Sequence, residues 1–579
     1  MSADLQVNEA LEEAKKADAE VSKCLEAGKN VLLEAGAGAG KTYSLVEALR
    51  FLIASKGDQL RKKGQRIACI TYTNVAAAVI TERIDGNPVV FIDTIHAFLW
   101  SLIRSYQPML RDGIQGIEAW KERLAESETP LGTQKVEYDL GYRSIKADVI
   151  TLHHDDVLAL AVGLLANSKF QGILAGKYPF ILIDEYQDTN AGVMQALKEN
   201  LFGRAGGPQF GLFGDHWQQI YDGTCGRVSS PALVEIPKRS NFRSAVSIVS
   251  VLNKMRPELP QGPHDSNFIG SAIAYHTNSW TGQRQTSAHW KGDLPAEIAE
   301  VYLEQFINKL KAEDGWDFSH LRTKVLMLTH NVLAKTQGYS DLAKVFDRTE
   351  LFIKKENEHI AFFADKLEPA CEAFTRRSYG EMFAPLGDRP LIRSQKDKAE
   401  WVEFMNKLLD LRAAGSVGDV IDFLRATSRI ALPEGVIRAE ELAKTWSGEP
   451  VEYANRVERT RNLREIPYKQ VIALDDFIDG NTPFATKHSV KGDQFENVLV
   501  VLGRGWNKYN WAEYLEWAGS GVPDGKKDSY ERNRNLFYVS CSRPTTRLAL
   551  FFTQQLGTKA LHTLTSWFGA NCVRAFAAS

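Results

Sequence analysis

The chain has 579 residues, too many for a single core and enough for about three or four folding units. At 44% hydrophobic and 25% charged it is ordinary for a globular protein, and no apolar run approaches the roughly 20 residues that span a bilayer. The formal net charge of −2 argues against a protein that coats duplex DNA through a broadly basic surface, though not against a motor that grips one strand in a narrow channel.

The N-terminal MSADLQVNEALEEAKKADAE is acidic and helical in pattern, without the basic start and apolar run of a secretory signal. The six cysteines (Cys24, Cys69, Cys225, Cys371, Cys541, Cys572) are scattered and form no CxxC pair. This points to a reduced, cytoplasmic setting with no membrane, and to neither a disulfide framework nor a zinc site. Next, Asn30 to Glu34 is a short apolar run suited to a buried parallel strand, and Leu45, Val46, Leu49 and Leu52 have helical spacing. Between them lies Ala35-Gly36-Ala37-Gly38-Ala39-Gly40-Lys41-Thr42. Such small residues let backbone N–H groups face an anionic phosphate, and the helix N-terminus adds its dipole. This predicts an ATP site in which Lys41 reaches the β and γ phosphates and the Thr42 hydroxyl binds Mg²⁺. The run Arg61-Lys62-Lys63 reads as a solvated turn.

Residues 97–170 carry a mostly helical pattern (SLIRSYQPML, IEAWKERLAES, VLALAVGLLA). Within them, Leu152-His153-His154-Asp155-Asp156 holds metal-ligand types but reads as a helix start, where aspartate caps free N–H groups. Phe180-Ile181-Leu182-Ile183 predicts a strand that runs into Asp184-Glu185-Tyr186-Gln187-Asp188. Two carboxylates at an apolar strand end suit nucleotide hydrolysis: Asp184 would hold Mg²⁺ and Glu185 would orient and deprotonate the attacking water. VLMLTHN (325–331) predicts a further strand, and 351–470 is again helical in pattern. The segment 503–535 brings Trp506, Tyr509 and Trp511 together, either as a projecting pin or as a packed aromatic cluster.

From AGAGAGKT and DEYQDTN onward the sequence resembles the UvrD/Rep/PcrA group of superfamily 1 DNA helicases. Further motifs follow in that group's order: ITYTNVAAAVITERI (70–84), TIHAF (94–98), FGDHWQQIY (213–221), SNFRS (240–244), TKHSVKGDQFENVLVV (486–501) and RNLFYVSCSRP (534–544). The resemblance implies an α/β fold with two RecA-like motor domains, each carrying a mainly helical accessory insertion, and ATP in the cleft between them. The implied division is 1–96 and 171–250 for the first motor domain, 97–170 for its insertion, 251–350 and 471–579 for the second motor domain, and 351–470 for its insertion. Gln218 would sense the γ phosphate, and Arg243 and Arg543 would approach it from the opposite side, their guanidinium groups stabilising charge on the transferring phosphoryl. Such a site is complete only when the cleft shuts, which couples hydrolysis to domain closure. Tyr72 matches an aromatic that the group places against single-stranded DNA, where stacking ignores sequence. Thr94, His96, Thr486 and His488 match polar positions along the strand path, and Tyr221 is a further DNA candidate. The implied partner is single-stranded or tailed duplex DNA, with movement 3′ to 5′.

Three departures from the group are visible. The upstream glutamine that reads adenine is missing, its neighbourhood being AEVSKCLEAGKN with Gln6 farther away, although Phe242 is placed to stack on the base. Gln494 stands where the group carries a glutamate, keeping hydrogen bonding and losing a charge. The tryptophan expected after FGDHWQQIY is absent, Trp217 lying too early. The compact size and SNFR also resemble the helicase-like subunits of Gabija antiphage defence systems, which implies an alternative role as a DNA-sensing subunit partnered with an OLD-family (ATPase–Toprim) nuclease.

Overall fold

Apolar runs bounded by glycine or polar turns become parallel strands buried on both faces. The computed structural model describes residues 9–127, 129–138, 143–287, 290–327, 334, 337–387, 392–449, 453–486, 490–504 and 509–578. The first lobe is built on β1 (Asn30–Ala35), β2 (Ile67–Thr71) and β3 (Val90–Thr94). A small sheet of β4 (Lys135–Tyr138), β5 (Ser144–Ile145) and β6 (Val149–Leu152) intervenes. The lobe then resumes with β7 (Phe180–Asp184), β8 (Gln209–Gly214) and β9 (Leu233–Lys238). Its sheet runs β3-β2-β7-β8-β1-β9, every neighbour parallel. A short parallel pair, β10 (Ser240–Asn241) with β11 (Gly262–Pro263), follows at the lobe junction.

The second lobe comprises β12 (Ser271–His276), β13 (Thr323–Met327), β14 (Phe484–Thr486), β15 (Phe495–Leu502), β16 (Pro544–Phe552) and β17 (Val573–Ala575). They are ordered β14-β13-β15-β16-β12-β17, again parallel throughout. The fold is therefore α/β, with two RecA-like parallel sheets flanked by helices. In open parallel sheets, loops at the carboxyl ends of the strands carry the chemistry, and the glycine-rich loop leaves β1, Asp184-Glu185 ends β7 and Asp215 follows β8.

The stretch 97–170 is not purely helical. Lys135–Tyr138 and Val149–Leu152 pair in parallel, and Ser144–Ile145 joins antiparallel. Their short runs (KVEY, VITL) favour a pleated, half-buried surface. The His-His-Asp-Asp sequence is a helix start. His153 is the N-cap of helix His154–Leu165 in a reciprocal capping box with Asp156, and Asp156 is buried against Arg143 at 2.9 Å. Arg61 and Lys62 lie exposed in the last turn of helix Lys41–Lys62 rather than in a turn beyond it.

Between 351 and 470 the helices Gln395–Ala414 and Val417–Thr427 each start on a serine capping box, from Ser394 and Ser416. Their apolar faces share one continuous core with the second sheet, through Leu408, Val420 and Ile421 on one side and Val325 and Phe551 on the other. Among the described residues, no single helix is long and apolar enough to cross a membrane, and all six cysteines are free thiols.

Of the proposed pin residues, Trp506 lies outside the described residues. The other two are core. Trp511 is 0% exposed and Tyr509 is buried; their rings stack at 5.7 Å, and the Trp511 indole donates to the Gly503 carbonyl at 3.1 Å. Trp511→Ala is expected to cost about 3–5 kcal/mol of stability, the range for truncating a large buried aromatic. Chemical denaturation of the variant measures this, and unchanged stability would put Trp511 outside the core.

Candidate active site

The glycine-rich loop is held in shape by its own turns and by the far lobe. Gly38 and Gly40 have φ of 75° and 77°, a left-handed conformation that glycine adopts without a Cβ penalty. A Cβ on Gly38 would also lie 2.8 Å from Arg243 Cβ and from Asn241 Oδ1. Asn241 Nδ2 and Gln261 Nε2 both donate to the Ala37 carbonyl, at 3.1 and 3.2 Å. Phe242 N donates to the Gly38 carbonyl at 2.8 Å, and Ala37 N donates to the Tyr538 hydroxyl at 3.3 Å. Ala35 and Ala37 turn their methyls into the core and contribute backbone only.

One cavity of about 480 Å³ opens beside this loop. Gly36, Gly38, Ala39, Gly40, Lys41, Thr42, Asp184, Glu185, Gln218, Phe242, Arg243, Gln494 and Arg543 line it, joined by Tyr72 and Tyr221. Lys41 Nζ donates to Glu185 Oε2 at 2.8 Å. Burial opposes charge on both, yet the pairing more than offsets it: Lys41 is raised, and Lys41 and Lys491 hold Glu185 down at about 2. Burial and the Glu185 carboxylate push Asp184 up to about 7, with Lys41 opposing.

Glu185 sits at φ 46°, a strained conformation for a residue with a side chain, and such strain collects at functional sites at about 1–3 kcal/mol each. Gln187 steers it. The Gln187 amide donates to Glu185 Oε2 at 2.6 Å and accepts from Asp215 N at 3.0 Å. Neither contact was foreseen from the sequence; Gln187 is 0% exposed and sits inside DEYQD, where its type and position were the available signal.

Arg543 comes from the second lobe and Arg243 from the junction between the lobes. Arg543, 1% exposed, donates from Nε to the Val539 carbonyl at 2.9 Å and from Nη2 to Gln218 Oε1 at 3.2 Å. Arg243 donates to Gln494 Oε1 at 3.3 Å and to the Ser542 carbonyl at 3.1 Å. Burial depresses both guanidiniums, and Arg243 depresses Arg543 further. A guanidinium nevertheless keeps its charge, so Arg243 and Arg543 both bring a positive charge to the cavity wall.

The DNA candidates divide. Tyr72 and Tyr221 stack at 5.4 Å with planes 21° apart, and Lys491 Nζ sits 5.2 Å over the Tyr221 ring while pairing with Asp188. Asp188 Oδ1 has no hydrogen-bond partner among the described residues. Thr94 spends its hydroxyl on capping helix Ile95–Ile103, and His96 lies edge-on to His154 at 5.1 Å. Thr486 is buried at the end of β14. These three do not line the cavity, and His488 lies outside the described residues. Trp217, set aside as a base-stacking group, is buried against Tyr538 at 5.3 Å. Phe242 is exposed at the cavity rim, 5.3 Å from His264.

Residues 19–224 match the model of an AAA domain. Gabija protein GajB from Bacillus cereus is 22% identical over 93% of this chain and 95% of its own length. The ATP-dependent DNA helicase Rep is 24% identical over 90% of both chains in Buchnera aphidicola subsp. Schizaphis graminum. Rep from Salmonella typhimurium is 25% identical over 50% of this chain, which spans 53% of that relative's length. By these likenesses the chain resembles the UvrD-like superfamily 1 helicases. As a helicase-family ATPase it uses ATP, and residues of both lobes line the cavity beside the glycine-rich loop.

Proposed function

We propose that this UvrD-like protein is an ATP-dependent DNA helicase or translocase that tracks single-stranded DNA 3′ to 5′ and couples hydrolysis to closure of the cleft. The observation that carries the reading is the contact of Arg543 with Gln218 across the lobes, beside the Lys41–Glu185 pair. Phosphate binds at Gly36 to Thr42, with Lys41 on the β and γ oxygens. Glu185, steered by Gln187, takes the proton of the attacking water. Gln218 senses the γ phosphate, and Arg243 and Arg543 stabilise its developing charge. Thr42 and Asp184, which both line the cavity, offer the hard oxygen donors that suit Mg²⁺. When bound, that ion would neutralise phosphate charge. Phe242 stacks on the base, and Gln494 holds Arg243.

On the DNA side, Tyr72 and Tyr221 form the stacking platform. Tyr72→Ala is expected to weaken binding of an oligo-dT strand by roughly 1–3 kcal/mol, the worth of one stacked base. Fluorescence anisotropy measures it, alongside ATP affinity, which should stay nearly unchanged. Equal DNA affinity would remove Tyr72 from the strand path.

The match to GajB along almost the whole of both chains favours a second reading: a DNA-sensing ATPase that partners an OLD-family nuclease in antiphage defence and unwinds little. Strand displacement on 3′-tailed and 5′-tailed duplexes, with and without that class of nuclease, separates the two. ATP-dependent displacement from the 3′ tail by the chain alone supports the motor. DNA-stimulated hydrolysis without displacement supports the sensor, and neither activity would contradict both.

A further inference from the structure

Arg256 has no part in the phosphate, metal or DNA roles above, yet it is among the most buried charges in the protein, at 2% exposed. It directly follows helix Val246–Met255, which packs on β12 and β16 of the second lobe. A guanidinium cannot shed its proton to escape burial, so burying one is costly unless its donors are matched. The groups that its two terminal nitrogens bond come from the other lobe, while Nε has no hydrogen-bond partner among the described residues and lies 3.5 Å from Glu258 Oε1. Arg256 Nη2 donates to Glu34 Oε1 at 2.7 Å, and Nη1 donates to Asp215 Oδ1 at 2.6 Å. Its Cζ lies 5.1 Å from the ring centre of Trp217 and 5.8 Å from that of Tyr538, one ring from each lobe.

The two carboxylates are not interchangeable. Glu34, the single charged residue of β1, also accepts from the Tyr186 hydroxyl at 2.8 Å and from His216 N at 3.3 Å, and lies 2.7 Å from His216 Nδ1. It anchors the guanidinium to the first sheet. Asp215 Oδ1 takes Arg256 and Trp217 N, which fixes the carboxylate plane. Its other oxygen, Oδ2, accepts from Gln218 Nε2 at 2.6 Å. Tethering the amide nitrogen leaves Gln218 Oε1 facing Arg543 Nη2. A chain of directed bonds thus runs from Arg256 through Asp215 and Gln218 to Arg543.

We infer that Arg256 is a positioning residue for ATP hydrolysis: a buried cross-lobe guanidinium that, through Asp215, sets the amide of Gln218 against Arg543. The inference rests on the reading of Gln218 as the group that faces the γ phosphate. Bidentate fork geometry is what the role requires, because one donor must hold Asp215 while the other is anchored on Glu34.

The test is steady-state ATP hydrolysis by the full chain with single-stranded DNA, for Arg256→Met, Gln218→Ala, the double variant and Arg256→Lys, with a thermal melt of each. Arg256→Met is expected to lower kcat about tenfold with KM for ATP within about threefold, and Gln218→Ala to lower kcat at least as much. Because both act on one contact, the double variant should fall no further than Gln218→Ala alone, within about twofold. Losses that multiply in the double variant would overturn the inference and leave Arg256 as a tie between lobes. If Arg256→Met does not fold, Arg256→Lys takes its place in the cycle: it keeps the charge and loses the fork, so kcat should drop by about threefold or more with the melting temperature held. Wild-type kcat in Arg256→Lys would overturn the inference. Wild-type turnover in Gln218→Ala would instead overturn the underlying reading of the site, and the inference with it.

Discussion

Glu185→Gln is expected to lower kcat for DNA-stimulated ATP hydrolysis by about 10²–10⁴-fold, the usual contribution of a positioned general base. The substitution keeps side-chain shape and can still meet Gln187, which donates to the carboxylate at 2.6 Å. What it removes is the proton acceptor and the negative charge that Lys41 contacts at 2.8 Å. ATP affinity should hold within a few-fold, because Gly36 to Thr42 and both arginines remain. The complementary Lys41→Ala should abolish turnover by a different route, loss of phosphate binding, visible as a raised Kd for nucleotide. Undiminished turnover in both variants would end the motor reading.

Arg543→Lys is expected to cost about 10³–10⁵ in kcat, the range for a guanidinium supplied to a phosphoryl transition state. Lysine retains a charge, so the loss would report geometry. The Arg543 fork spans the Val539 carbonyl, Gln218 Oε1 and Ser542 Oγ, and an ammonium on a flexible stem cannot reproduce that spread. The control is the melt. Because Arg543 is buried, part of any loss in turnover will follow from instability unless the melting temperature is held, and nucleotide binding at saturating ATP separates the two. A kcat within tenfold of wild type at an unchanged melting temperature would move Arg543 out of the catalytic arrangement.

The parts of the site legible in sequence were those whose chemistry is local. Ala35 to Thr42 needs its glycines and lysine side by side, and Asp184-Glu185 needs an apolar strand directly before it. Arg543 and Gln218 were reached only through the order of motifs, since nothing local says that residues 325 positions apart will touch. The Lys491–Asp188 pair, 303 positions apart, and the Tyr538 hydroxyl on Ala37, 501 apart, are invisible in sequence for the same reason, although all four residues lie within helicase-like motifs. Glu34 and Arg256 were missed more completely. A carboxylate ending a buried strand and an arginine following a helix each look like surface charges, and only the meeting of the two lobes brings them together. The fold was more legible than its details: strand-length apolar runs gave the parallel sheets. KVEY and VITL fell inside a stretch read as helical because the longer apolar runs around them set the period. Tyr509 and Trp511 left two readings open because aromatic clustering is the same in sequence whether the rings project or pack.

The central claim is that hydrolysis of ATP is completed by groups from both lobes and governed by DNA. Its most direct test is ATP turnover by the purified chain with and without single-stranded DNA, in parallel with Glu185→Gln. The prediction is turnover that rises at least about tenfold with DNA and falls to background in the variant. Turnover indifferent to DNA, or undiminished in Glu185→Gln, would contradict it.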